Sequence, residues 1–167
     1  MNMTAMATEA SSMTTMPHSP EPARAQWIAL LSQADPAQLE EAWRELGPPP
    51  AHHWLRPVEA GLVMLRGRAG GTGQPFNLGE MTMTRAAVML EAPQARIGFG
   101  YVAGRAPRHA ELAALFDALL QDDALRAGPL AGLLTTLERM AAQKRQQRVA
   151  EVAATRVDFM TMVRGDD

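Results

Sequence analysis

Gly70-Gly71-Thr72-Gly73, followed by Gln74-Pro75 and preceded by Arg66 and Arg68, is one of two places in this chain where residue type and spacing suit an anion. A glycine-rich turn can fold into a backbone nest whose N–H groups converge on a phosphate or carboxylate. The segment lacks the Lys-Ser/Thr of a P-loop and does not open a helix, so a plain hairpin turn is the competing reading. The second place is Gly104-Arg105, just ahead of a helix that carries Arg108, His109 and Glu111. A helix N-terminus beside two guanidinium groups favours negative charge, and ordinary surface charge explains the same residues. His109 has no Ser or Asp with it in a nucleophile motif, so a capping or contact role stands beside general acid or base work.

Other chemistries have little to work with. The chain has no Cys, which excludes disulfides, thiolate metal sites and iron–sulfur ligation by its own side chains. Of the four His, His52 and His53 are adjacent in a proline-rich connector and read as a solvated loop rather than a metal pair. No HExxH motif, spaced carboxylate cluster or EF-hand pattern occurs, and no metal site is expected. Fifteen of the sixteen basic residues are Arg, Lys144 being the exception, yet the formal net charge is -2. That balance removes the global attraction to phosphate backbones on which nucleic-acid binders rely.

These residues must be positioned by a chain of 167 residues, enough for one domain with its own core. Residues 1–23 contain five of the twelve Met among Ser, Thr, Ala and Pro, and read as a disordered leader with neither a basic n-region nor an apolar h-region. Residues 24–167 read as a single α+β domain, with no membrane span and a cytoplasmic location. Two helical patterns, Ala25 to Leu31 and Leu39 to Leu46, flank Asp35-Pro36, an N-cap followed by proline at the first helical position, and predict a helical hairpin. Gly47-Pro48-Pro49-Pro50 then interrupts helix and sheet alike.

Strand patterns follow at Gly61 to Arg68, Met81 to Leu90 and Ile97 to Ala103, and short connections favour an antiparallel meander. In the middle strand one face carries Met81, Met83, Arg85, Ala87 and Met89, the other Thr82, Thr84, Ala86, Val88 and Leu90. Neither face reads as solvated, so helices are expected on one side and further helix or another protein on the other. Beyond Pro107, Leu112, Leu115, Phe116, Leu119 and Leu120 make one helical stripe. A last helix from about Leu133 to Arg156 places Arg145 and Arg148 on the stripe of Leu137, Ala141, Val149 and Val152, where two guanidinium groups want a partner.

Taken in order, Gly70-Gly71-Thr72-Gly73, Thr84-Arg85-Ala86-Ala87-Val88, Gly100-Tyr101 with Gly104-Arg105, His109-Ala110-Glu111, Asp117-Ala118-Leu119 and the closing run from Arg156 to Gly165 resemble the PhnG family. That family is the G subunit of the bacterial carbon–phosphorus lyase system. The resemblance runs from about Ala25 to the C-terminus; the Met-rich leader and the length of the proline connector depart from it. It implies a component of an assembly with the H, I and J proteins, which couples a phosphonate such as methylphosphonate to ATP and displaces adenine. The product of that step is a ribose 1-phosphonate 5-triphosphate. ATP is then a substrate of the assembly, and no cofactor belongs to this chain alone. No catalytic residue carries over. Arg145, Arg148, Arg156, Asp158, Phe159 and Arg164 are expected at subunit contacts, and Arg85, Arg105 and His109 form a second possibility, reaching a substrate phosphate. An independent anion-binding module is the remaining alternative.

Overall fold

The computed structural model describes residues 22–154 apart from positions 49, 92 and 94. Helices α1 (Pro22–Gln33) and α2 (Pro36–Leu46) form the expected hairpin, and Asp35 caps α2 by accepting from the Ala37 N–H at 2.9 Å. Strands β1 (His52–Arg68), β2 (Pro75–Leu90) and β3 (Ile97–Ala103) make an antiparallel sheet in the order β1-β2-β3. Helix α3 (Pro107–Leu120), a short α4 (Asp123–Ala127) and the long α5 (Ala131–Ala154) complete an α+β arrangement.

Two expectations change. Strand β1 begins nine residues before Gly61, so His52 and His53 belong to the sheet, opposite Leu90 and Met89, and not to a solvated loop. Half-buried His52 bonds the Pro50 carbonyl at 2.8 Å and stands edge-on to Trp54; neighbouring strand residues face opposite sides, so the two imidazoles diverge. Helix α3 is buried almost all round from His109 to Leu120, so its Leu stripe is only part of what it hides. One side lies on the sheet and the other against α1 and α2, where Phe116 meets Trp43 edge to face.

Two glycines allow that close approach. A Cβ at Gly98 or Gly100 would fall 2.0 Å from the carbonyl oxygen of Ala114 or Ala110, so α3 rests directly on the β3 backbone. Thr84, Ala86, Val88 and Leu90 of β2 face the same helix and are buried. Thr84 also ties down the β3–α3 connection: its hydroxyl donates to the Gly104 carbonyl at 2.6 Å and accepts from the Ala106 N–H at 3.0 Å.

The deepest polar group is Asp117 on α3, fully buried. Its carboxylate accepts from Trp27 Nε1 at 2.9 Å, from Arg24 Nε and Nη2 at 3.2 and 2.8 Å, and from the Phe99 N–H at 2.9 Å. Removing one partner of a buried ion pair strands the other, at a cost of about 3–5 kcal/mol. Asp117→Ala is therefore expected to lower unfolding stability by about that amount in urea titrations, with α1 losing amide protection first. Gly100→Ala is expected to prevent α3 from seating, seen as loss of the cooperative transition; a transition matching wild type would contradict the close packing.

Candidate functional site

The two faces of the sheet differ. Under α3 the sheet is closed, whereas the opposite face carries Met83, Arg85, Ala87 and Met89 of β2 beside Ala103, Tyr101, Phe99 and Ile97 of β3. Ile97, Phe99 and Tyr101 are 37–45 % exposed on this face, an unusual degree for a row of large apolar side chains. The polar groups here pair with each other. Glu59 on β1 lies opposite Arg85, and its Oε1 accepts from Arg85 Nε at 2.9 Å and Arg56 Nη1 at 3.0 Å. The Arg85 hydrogen bond is the chief reason that the Glu59 carboxyl is held below the usual carboxylate range, with the charges of Arg85 and Arg56 acting in the same direction.

The residues singled out for phosphate do not converge. Gly70 and Gly71, at positive φ, sit in a single 3-10 turn (Ala69–Gly71) that closes the β1–β2 hairpin, and Thr72 and Gly73 complete it. The Gly73 N–H donates to the Ala69 carbonyl and Arg68 bonds the Gly73 carbonyl, so the segment is a hairpin turn engaged with itself. Nine residues of β2 lie between Pro75 and Arg85, about 33 Å of strand. His109 is buried and its Nε2 lies 2.7 Å from the Leu31 carbonyl, joining α3 to the last turn of α1. Arg108 bonds Glu40 at 2.7 Å and pairs with Glu111 at 3.0 Å. These contacts push the Arg108 guanidinium further toward permanent charge and hold Glu40 below the usual range, the Arg108 hydrogen bond leading. Arg105, and Arg66 ahead of the glycine turn, are exposed and have no ion-pair partner among the described residues.

Arg145 and Arg148 are exposed on α5, and neither has an ion-pair partner among the described residues. Arg145 lines a groove of about 420 Å³ with Gln26, Gln33 and Glu138. A neighbouring groove of about 550 Å³ lies between the α1–α2 turn and α5, lined by Leu30, Leu137, Met140, Lys144 and Gln147 among others. Arg156, Asp158, Phe159 and Arg164 lie outside the described residues. Among the described residues no group of three His, Asp or Glu is placed to hold a metal ion, and no helix is long and apolar enough to cross a membrane.

Asp117 and Thr84 are the structural residues that residue patterns did not single out for a role. A lone carboxylate inside Leu-Phe-Asp-Ala-Leu-Leu was the available signal, because a helix otherwise apolar at that point must satisfy it.

What fold and site together define is a small α+β domain whose buried polar groups serve its own scaffold and whose sheet, among the described residues, is covered on one face only. Residues 22–165 match the family model of phosphonate metabolism protein PhnG. The chain is 44 % identical over 144 residues to the alpha-D-ribose 1-methylphosphonate 5-triphosphate synthase subunit PhnG of Rhizobium meliloti (strain 1021), an alignment covering 86 % of this chain and 90 % of that protein. The chain belongs to the PhnG family.

The electrostatics of the open face are directly measurable. A carboxylate whose folded value is depressed contributes stability above its unfolded value, and that contribution is lost as pH falls through the folded value. Carboxyl-detected NMR is expected to place the Glu59 titration below that of glutamate in a short peptide, and Arg85→Ala is expected to move it upward.

Proposed function

We propose that this protein is an assembly subunit of a synthase that couples a phosphonate such as methylphosphonate to ATP, releasing adenine and forming ribose 1-methylphosphonate 5-triphosphate, in the carbon–phosphorus lyase pathway. Its partners are the H, I and J chains of that system, and it acts with them in the cytoplasm, with ATP as a substrate of the whole assembly. Family membership supports the reaction, since a relative carries the name of a subunit of that synthase.

The open face of the sheet carries the structural argument. Phe, Tyr, Met and Arg are the residue types enriched at subunit contacts, and Ile97, Phe99, Tyr101, Met83, Met89 and Arg85 supply them on one surface. Among the described residues, buried Asp117 and His109 are bonded to scaffold groups, and Glu59 on the surface answers Arg85. A purely structural role thus accounts for most of the polar side chains that sequence alone placed near a phosphate. Arg105 is the candidate that retains a free guanidinium for direct contact with a substrate phosphate.

Co-expression with the H, I and J chains, followed by size exclusion and an assay for adenine release from ATP and methylphosphonate, tests the reading. Wild-type chain is expected to elute in an active complex. Tyr101→Glu, a change at an exposed side chain, is expected to leave the isolated domain folded and to reduce co-elution at least tenfold. Arg105→Ala is expected to retain turnover within about twofold in the assembled complex. A loss of turnover of about tenfold or more with assembly intact would instead make Arg105 a substrate contact, because losing a charge-assisted hydrogen bond to a phosphate costs about 1.5–3 kcal/mol.

A further inference from the structure

Strand β1 lies at one edge of the sheet, so half of its backbone groups meet no strand. The hydrogen-bond pattern says which half. The Gly104 N–H donates to the Thr82 carbonyl and the Leu90 N–H to the Arg96 carbonyl, so the even-numbered residues of β2 from Thr82 to Leu90 bond toward β3 and the odd-numbered ones toward β1. In the register from Glu59↔Arg85 to Leu65↔Gly79, the odd-numbered residues of β1 therefore bond to β2. Ala60, Leu62 and Met64 turn their N–H and C=O groups outward, and none of these groups has a hydrogen-bond partner among the described residues.

The same stretch lacks the devices that keep an edge from pairing. Register shifts at 54/56, 56/59 and 65/66, with Pro57 among them, blunt the rest of β1, but Glu59 to Leu65 is regular and carries no charge after Glu59. Its side chains are bare on both faces: Leu62 is 65 % and Met64 50 % exposed on one, Leu65 38 % on the other. It also reaches past the end of the third strand. Strand β3 pairs only with Met83 to Met89, so from Leu62↔Thr82 outward the sheet continues as a two-stranded arm, and such a ribbon is marginal in water without further strands or a packed layer. The free edge of β3 is partly taken, because the Ile97 carbonyl accepts from Arg24 and Gln121 and the Phe99 N–H donates to Asp117.

We infer that β1 pairs with β1 of a second copy of this chain, antiparallel about a two-fold axis at Leu62, joining two three-stranded sheets into one continuous sheet. The edge itself selects the axis, since Leu62 is both the middle residue of the regular stretch and one of the three whose backbone faces outward. Leu62 then meets Leu62, and Ala60 of each copy meets Met64 of the other. Each of these pairs exchanges two hydrogen bonds, which satisfies every outward group of Ala60, Leu62 and Met64 in both copies. Self-complementarity of the side chains is what favours a second copy over an unrelated strand. Away from the axis a small residue opposes a large one, Ala60 against Met64 and Gly61 against Val63, so the seam fills without crowding. Glu59, the one charged residue of the stretch, falls opposite Leu65 of the other copy and about 20 Å along the seam from the other Glu59. The inference goes beyond the assembly reading and does not depend on it, because pairing at this edge leaves the open face and the helices of both copies available to other chains.

The chain has no Cys, so a single introduced one reports on the seam directly. Full-length chain carrying Leu62→Cys is oxidised by itself and after co-expression with the H, I and J chains. Residues of a hydrogen-bonded antiparallel pair stand about 5.5 Å apart at Cα, within the span of a disulfide, so a dimer linked from position 62 to position 62 is expected in both samples. Glu59→Cys, whose two copies stand about 20 Å apart across the axis, is expected to stay unlinked. Leu62→Lys sets like charges face to face and is expected to keep the circular dichroism of wild type while weakening self-association at least tenfold in sedimentation velocity. A wild-type chain that sediments as a monomer, equal linking at positions 59 and 62, a disulfide from position 62 to another subunit instead of a second copy, or undiminished self-association of Leu62→Lys would each overturn the inference. Failure to co-elute with the H, I and J chains while the 62-to-62 disulfide forms would overturn the assembly reading alone.

Discussion

The carboxylate of Asp117 is shut away from water, and the way it is satisfied ties three elements together. Trp27 and Arg24 reach it from α1, the Phe99 N–H reaches it from the outer edge of β3, and Asp117 itself belongs to α3. A buried charge without such donors would be prohibitive, so helix hairpin, central helix and sheet edge must arrive in one geometry or none of them is stable. The same contacts close the edge of β3, where Arg24 Nη2 and Gln121 Nε2 both donate to the Ile97 carbonyl. Arg24 also lies over the Phe99 ring, 5.7 Å from its centroid, so the network extends to the aromatic row on the open face.

That arrangement explains why the domain has a finished side and an unfinished one. All helices that pack on the sheet do so on the face of Val88 and Gly100, and the backbone contact of β3 with α3 leaves no room for doubt about which face is inside. The opposite face and the distal arm keep aromatic, Met and Leu side chains in the open. Aromatic and Met side chains on such surfaces are of the types enriched where chains meet. Among the described residues, the carboxylates of Asp117 and Glu59 and the imidazole of His109 bond to groups of the scaffold.

Much of the architecture was legible from residue patterns. Asp35-Pro36 announced the second helix, the Leu stripe announced α3, and Ile97 to Ala103 appeared with its observed bounds. The first two strands were read from Gly61 and Met81 and so fell short at their N-terminal ends, where Pro57 in β1 and Gly79 in β2 look like breaks, whereas β1 absorbs its proline and irregularities in bulges on an edge. His109 and Arg108 looked available for an anion because their sequence neighbourhood is a helix start; their partners, the Leu31 carbonyl and Glu40, come from α1 and α2, 78 and 68 residues away.

The amino-acid sequence by itself determined which segments are helical and which extended, where they are capped, and the family to which the order of its motifs belongs, since propensity, periodicity and motif order are local or linear properties. Only the tertiary structure decided which polar residues are free, which sheet face is covered and how far the β1–β2 arm outruns β3. Those depend on pairings such as Arg24 with Asp117 and Arg85 with Glu59, between residues 93 and 26 positions apart. Linear spacing carries no information about which distant charges meet, and Arg85, a phosphate candidate by its sequence, meets Glu59 across the sheet.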